Sequence, residues 1–135
     1  MRGSYLLVIL ATAWLTGCAP VALKTSTADR DPLRRAVVED VADGMSRIFE
    51  VADTTLVPSR PMTGAFDAAL MAALRQKGFP VGASVGRGEA FDCRVDPLEG
   101  LMYRVTVHVG KTELSRLWVL DGANAYAGGA WARRE

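Results

Sequence analysis

Leu101, Tyr103, Val105, Val107 and Val109 recur at every second residue, with Arg104, Thr106 and His108 between them. A period of two sends successive side chains to opposite faces of a strand, so this nine-residue stretch must bury one side and can leave the other wet. The same alternation places Phe91, Cys93 and Val95 opposite Asp92, Arg94 and Asp96 in the run from Phe91 to Pro97. Leu98-Glu99-Gly100 and Gly110-Lys111 supply turns, and Thr112 to Leu120 reads as a further strand stopped by Asp121-Gly122. The last third of the chain is therefore predicted to be a three-stranded antiparallel meander with one apolar face to cover.

The cover is legible upstream. Asp31-Pro32 pairs an N-cap with a proline at the first helical position. From there Leu33, Ala36, Val37, Val41, Gly44, Met45, Ile48 and Ala52 follow at three- and four-residue steps, a helix of about six turns. Whether its apolar stripe packs on the chain's own sheet or docks a partner is not set by the pattern. Thr54 to Val57 is a brief β-branched strand halted by Pro58. A second helix is expected from an N-cap at Thr63, with Phe66, Ala69, Leu70, Ala73 and Leu74 on one face and Gly78 as its left-handed C-cap. Gly82 to Glu89 is glycine-rich but lacks the Lys-Ser/Thr ending of a phosphate loop, and reads as a solvent loop or irregular strand edge. This order predicts an α+β fold, two helices packed on one face of a mainly antiparallel sheet.

Little in the chain suggests turnover. His108 is the single histidine, faces away from the Tyr103 and Val105 side, and cannot supply paired-histidine metal ligation. No Gly-x-Ser-x-Gly elbow is present, and Asp92, Asp96 and Glu99 are explained by a solvated strand face beside a turn. Catalytic and metal-ligating residues are thus both assigned as none, and no cofactor is expected. Arg116 and Trp118 share a face of the strand from Thr112 to Leu120, opposite Leu117 and Val119. Such a pair suits a partner-binding sheet, or an arginine stacked on tryptophan within the fold. Trp131, four residues from the end, is expected to pack as part of a short final segment. Arg116, Trp118 and Trp131 are accordingly the candidate partner contacts.

The N-terminal end carries a different message. Tyr5 to Leu15 is an eleven-residue apolar run behind Arg2, too short to span about 30 Å of hydrocarbon, and it ends in Leu15-Thr16-Gly17-Cys18. That tetrapeptide resembles the lipobox of bacterial lipoproteins. The resemblance implies that Leu15, Thr16 and Gly17 fit the signal peptidase, and that Cys18 receives a diacylglyceryl group on its thiol, becomes the new N-terminus and is then acylated on its amine. Those acyl chains would be the only covalent addition. Ala19 stands where an aspartate commonly retains lipoproteins at the inner membrane, so the implied location is the outer membrane, on its periplasmic face.

The resulting division is residues 1–17 signal peptide, 18–30 lipidated tether and 31–135 an α+β periplasmic domain. Residues 18–135 make one modest domain with a tether and are too few for two good cores. They carry 15 basic and 15 acidic side chains, a balance that argues against direct nucleic-acid binding. With Cys18 acylated, Cys93 has no intramolecular disulfide partner, and its place in the alternation puts it on the buried face.

Several stretches together are similar to the conjugal transfer lipoprotein TrbH family. They are the lipobox with Cys18, Phe66-Asp-Ala-Ala-Leu70 running on to Leu74-Arg75-Gln-Lys-Gly78-Phe-Pro-Val81, Tyr103-Arg104-Val-Thr-Val, Leu114-Ser115-Arg116 and Gly129-Ala130-Trp131-Ala-Arg133-Arg134-Glu135. That resemblance implies a lipid-anchored structural component of a conjugative type IV secretion apparatus. Its partners would be the other periplasmic core-complex subunits, met in a multi-copy ring, with no direct contact to DNA. A second reading is a free-standing outer-membrane lipoprotein acting as an assembly chaperone or pilotin; a third, a small-ligand binder or hydrolase, lacks a converging polar constellation.

Overall fold

In the computed structural model, which describes residues 31–82 and 86–135, the first element is helix α1 (Pro32–Ile48). The assigned signal peptide and tether lie outside the described residues. The Asp31 carboxylate accepts the N–H groups of Leu33 and Arg34 at 3.1 and 3.2 Å, satisfying two donors that the first turn leaves free. The helix ends a turn earlier than the periodicity predicts. Phe49 is extended (φ −113°, ψ 146°), and the N–H groups of Asp53 and Thr54 both bond to the Glu50 carbonyl, so Ala52 sits exposed in a turn. That reversal brings Leu56 into the edge of the sheet as the start of strand β1 (Leu56–Pro58), two residues later than expected.

Helix α2 (Ala65–Lys77) follows, with Gly64 and not Thr63 at its N-cap. The correction has a chemical cause: the Asp67 carboxylate, at the third helical position, reaches back to accept the Gly64 N–H at 3.4 Å, which sets Gly64 as the cap residue. Gly78 closes the helix at φ +98°, its N–H bonding to the carbonyls of Arg75 and Leu74. Leu70, Met71 and Leu74 are buried while Ala69 is exposed, so the apolar face is rotated slightly from the one predicted.

Strands β2 (Glu89–Pro97), β3 (Met102–Val109), β4 (Thr112–Asp121) and β5 (Asn124–Ala127) form an antiparallel meander, with β1 parallel to β2 at the far edge. The α2 crossover makes that parallel pairing possible. The meander is one strand longer than predicted because Gly122, at φ +58°, lets the chain reverse immediately after β4. A final strand, β6 (Ala132–Arg134), pairs with Glu113–Ser115, while β5 pairs with Trp118–Asp121. The two strands thus share one edge of β4. Between them the four residues Gly128–Trp131 face only Arg116 and Leu117, so the edge carries a wide bulge.

Both helices lie on one face of the sheet, as predicted. Val37, Val41 and Met45 of α1 and Leu70 and Leu74 of α2 meet Phe91, Cys93, Val105, Val107 and Leu114, each at most 1% exposed. Burial at about 1.5–3 kcal/mol per large apolar side chain makes this layer the main source of stability. Val38 and Ala42 are also buried, and α1 and α2 contact each other directly. The bulge turns Trp131 inward onto α1, where Gly44 admits it: a Cβ there would lie 2.7 Å from the indole nitrogen.

This close approach gives a test. Gly44→Ala adds helix propensity worth about 0.5–1 kcal/mol yet forces Trp131 off the helix. We expect the amides of Ala132–Arg134 to lose hydrogen-exchange protection while those of β3 keep theirs; unchanged protection in β6 would show that Trp131 does not pin the tail.

Candidate functional site

Three places gather polar side chains. The first is Arg60, in the connection between β1 and α2. Its guanidinium meets Asp67 through two bonds of 2.9 Å, Asp92 of β2 at 2.8 Å and the Cys93 carbonyl at 3.1 Å. Asp92 also takes a 2.9 Å bond from Arg94. Hydrogen bonds from Arg60 hold the Asp67 carboxyl below the usual carboxylate range despite its burial. Burial works to raise Asp92, but Arg94 and Arg60 outweigh it and bring the group below that range too. The Arg60 charge is correspondingly strengthened, Asp67 first and Asp92 after it. A solvated face for Asp92 is thereby corrected: the residue is only 6% exposed, because Arg60 crosses from the neighbouring connection to cover it. Asp96 and Glu99 are exposed as expected.

The second is Arg116, which donates to Asp40 of α1 at 2.5 Å and to the Gly129 carbonyl at 2.6 Å, and lies 5.8 Å from the Trp131 ring centroid. An arginine stacked on tryptophan does occur within the fold, with Trp131 in place of Trp118. Burial raises the Asp40 carboxyl, Arg116 only partly offsetting it. Trp118, 5% exposed, is part of the core. Arg116 and Trp118 thus lie on the helix-covered face, and of the three candidate contacts Arg116 and Trp131 are partly exposed at its margin.

The third place is a cleft of about 470 Å³ between α1 and β2, with Leu33, Val37 and Cys93 in its lining and Asp31, Arg34 and Arg94 among its charged groups. Cys93 is buried, as the alternation predicts. Burial, with Asp92 adding to it, pushes its thiol up to about 12, so little thiolate exists near neutral pH. His108 lies on the open face of the sheet, 3.9 Å from Glu113. Among the described residues no group of His, Cys, Asp and Glu could hold a metal ion, and no helix is long and apolar enough to cross a membrane. Leu15, Thr16, Gly17 and Cys18 lie outside the described residues.

These groups organise the fold, and their chemistry is testable. In Arg60→Ala two buried carboxylates lose their shared cation. We expect a loss of about 2 kcal/mol at pH 7, less than the roughly 3–5 of a fully buried pair because the Arg60 side chain is 36% exposed to screening water. Both carboxyls are depressed in the folded chain, so their contribution is complete above about pH 4 and disappears as pH falls through their folded values. Urea unfolding at pH 7 and pH 3 should show the gap between wild type and variant closing; an undiminished gap at pH 3 would exclude this electrostatic account. In a Cys18→Ala chain, Cys93 should react with an aromatic disulfide reagent only once denaturant is added, and rapid labelling of the native chain would contradict its burial.

Comparison with curated proteins and with solved structures finds no match. Comparison with protein families does: the model of the family described as conjugal transfer protein TrbH matches residues 19–135, through both helices and every strand described above. The chain belongs to the TrbH family of conjugal transfer proteins.

Proposed function

We propose that the chain is a lipid-anchored structural component of a conjugative type IV secretion apparatus, holding the core complex to the outer membrane by protein–protein contacts. The observation that carries this reading is the family match over residues 19–135 directly behind Leu15-Thr16-Gly17-Cys18, a sequence suited to lipid attachment. Acyl chains on Cys18 would supply the anchor, since more than one chain is needed for stable membrane attachment. Residues 19–30 reach at most about 40 Å when fully extended, which sets how far the domain can stand from the leaflet. The domain then adds specificity by packing against neighbouring periplasmic subunits, and a ring of copies multiplies modest contacts into strong avidity. The function is binding, without turnover.

The full-length chain and a Cys18→Ala form, each supplied with radioactive fatty acid and fractionated, test the anchor. Label in the outer-membrane fraction for wild type alone is the expected result; equal, unlabelled periplasmic protein from both would remove it. Co-purification of the labelled chain with secretion subunits at fixed stoichiometry is expected next. Transient capture of a single client would favour the chaperone or pilotin reading.

A further inference from the structure

The helices cover one face of the sheet and leave the other open, and the open face is divided. Towards one end its charges are satisfied within the chain: Arg94 pairs with Asp92 and Arg134 with Glu113. The other end is apolar. Met102, Val119 and Tyr126 stand in register across β3, β4 and β5, with Leu117 in the next row opposite Arg104. Met102, Leu117 and Tyr126 are three of the four exposed large hydrophobics among the described residues, at 41%, 41% and 53%. Three large side chains at those exposures present on the order of 270 Å², concentrated in one patch.

We propose that this patch is a self-association surface, and that its partner is a second copy of the same chain. The charges around it carry the choice of occupant. Arg104, Asp96, Glu99 and Asp121 border the patch; Arg104 stands opposite Asp96 in register, yet among the described residues none of the four makes an ion pair. A rim with both signs unpaired complements itself: a copy related by a two-fold axis offers carboxylates to each Arg104 and an arginine to the facing carboxylates. An anionic lipid surface would meet three carboxylates and repel them. Equal numbers of basic and acidic side chains after residue 17 leave no net repulsion between copies. Two patches bury on the order of 550 Å² between them, and Val119 with the rim brings the total towards the roughly 1,200 Å² of a small specific interface. The inference goes beyond the anchoring function and does not depend on it.

Single cysteines introduced in the full-length Cys18→Ala chain test it, because Cys93 is then the one native thiol and is buried. Under mild oxidation Leu117→Cys should form a covalent dimer of twice the chain mass. Gln76→Cys, exposed on α2, should form at least ten-fold less. Adding Arg104→Glu to the Leu117→Cys chain should lower the yield at least five-fold while circular dichroism stays unchanged. Equal yield from Gln76→Cys would mean random collision and would overturn the proposal. So would a dye at residue 117 that reports burial in vesicles of anionic lipid without any dimer, or a cross-link to a protein of different mass. Failure to recover secretion subunits leaves the dimer readout untouched, so the two readings fail separately.

Discussion

One guanidinium holds together the β1–α2 connection, helix α2 and strand β2. Arg60 sits after β1, caps the carboxylate that caps α2, and reaches both the side chain of Asp92 and the carbonyl of Cys93 on β2. The parallel pairing of β1 with β2 needs this, since β1 is three residues long and ends in a proline that cannot donate to a ladder. With β1 and α2 fixed to β2, the helical layer is held over the sheet, and the remaining strands add by successive hairpins. The second tie, from Arg116 to Asp40, closes the opposite side of the same layer.

Those ties explain which features could be read from sequence. The helices and the strands from Phe91 to Leu120 show themselves in local periodicity, because a period of two or of three to four is imposed by the solvent and core on either side of each element. Turn chemistry at Gly78 and Gly110 is equally local. Arg60 could not be found this way: its partner Asp92 is 32 residues distant, and nothing in the spacing of either distinguishes a buried pair from two solvated charges. Trp118 and Arg116 were legible as sharing a face, but which face the helices cover is decided by register and packing. Strand β5 was missed because Asn124-Ala-Tyr-Ala127 is short and weakly apolar, and its pairing comes from the tight turn at Gly122. The Thr63 cap was displaced by a carboxylate one turn inside the helix, a competition that sequence preference alone does not resolve.

For a member of a conjugal transfer family, the division of the domain into a closed helical layer and an open sheet face has a functional meaning. The covered face is committed to stability: Arg116 is held by Asp40 of α1 and lies against Trp131 of the tail, and Trp118 is buried in the core. The open face is uncommitted: one end is saturated with internal ion pairs and the other is not. A surface of this kind separates solubility from specificity within a single sheet.

The bulge at Gly128–Trp131 bears on a hazard of every chain with an open sheet edge. An uninterrupted outer strand would present a row of free amide and carbonyl groups, a template on which neighbouring chains could add edge to edge without limit. Here the outermost strand is broken into segments of four and three residues, and the chain between them is drawn inward, with the Gly128 N–H spent on the Leu117 carbonyl and the Gly129 carbonyl on Arg116. The same interruption that seats Trp131 on α1 thereby guards this border against open-ended β polymerisation, and leaves growth of any assembly to surfaces that can close.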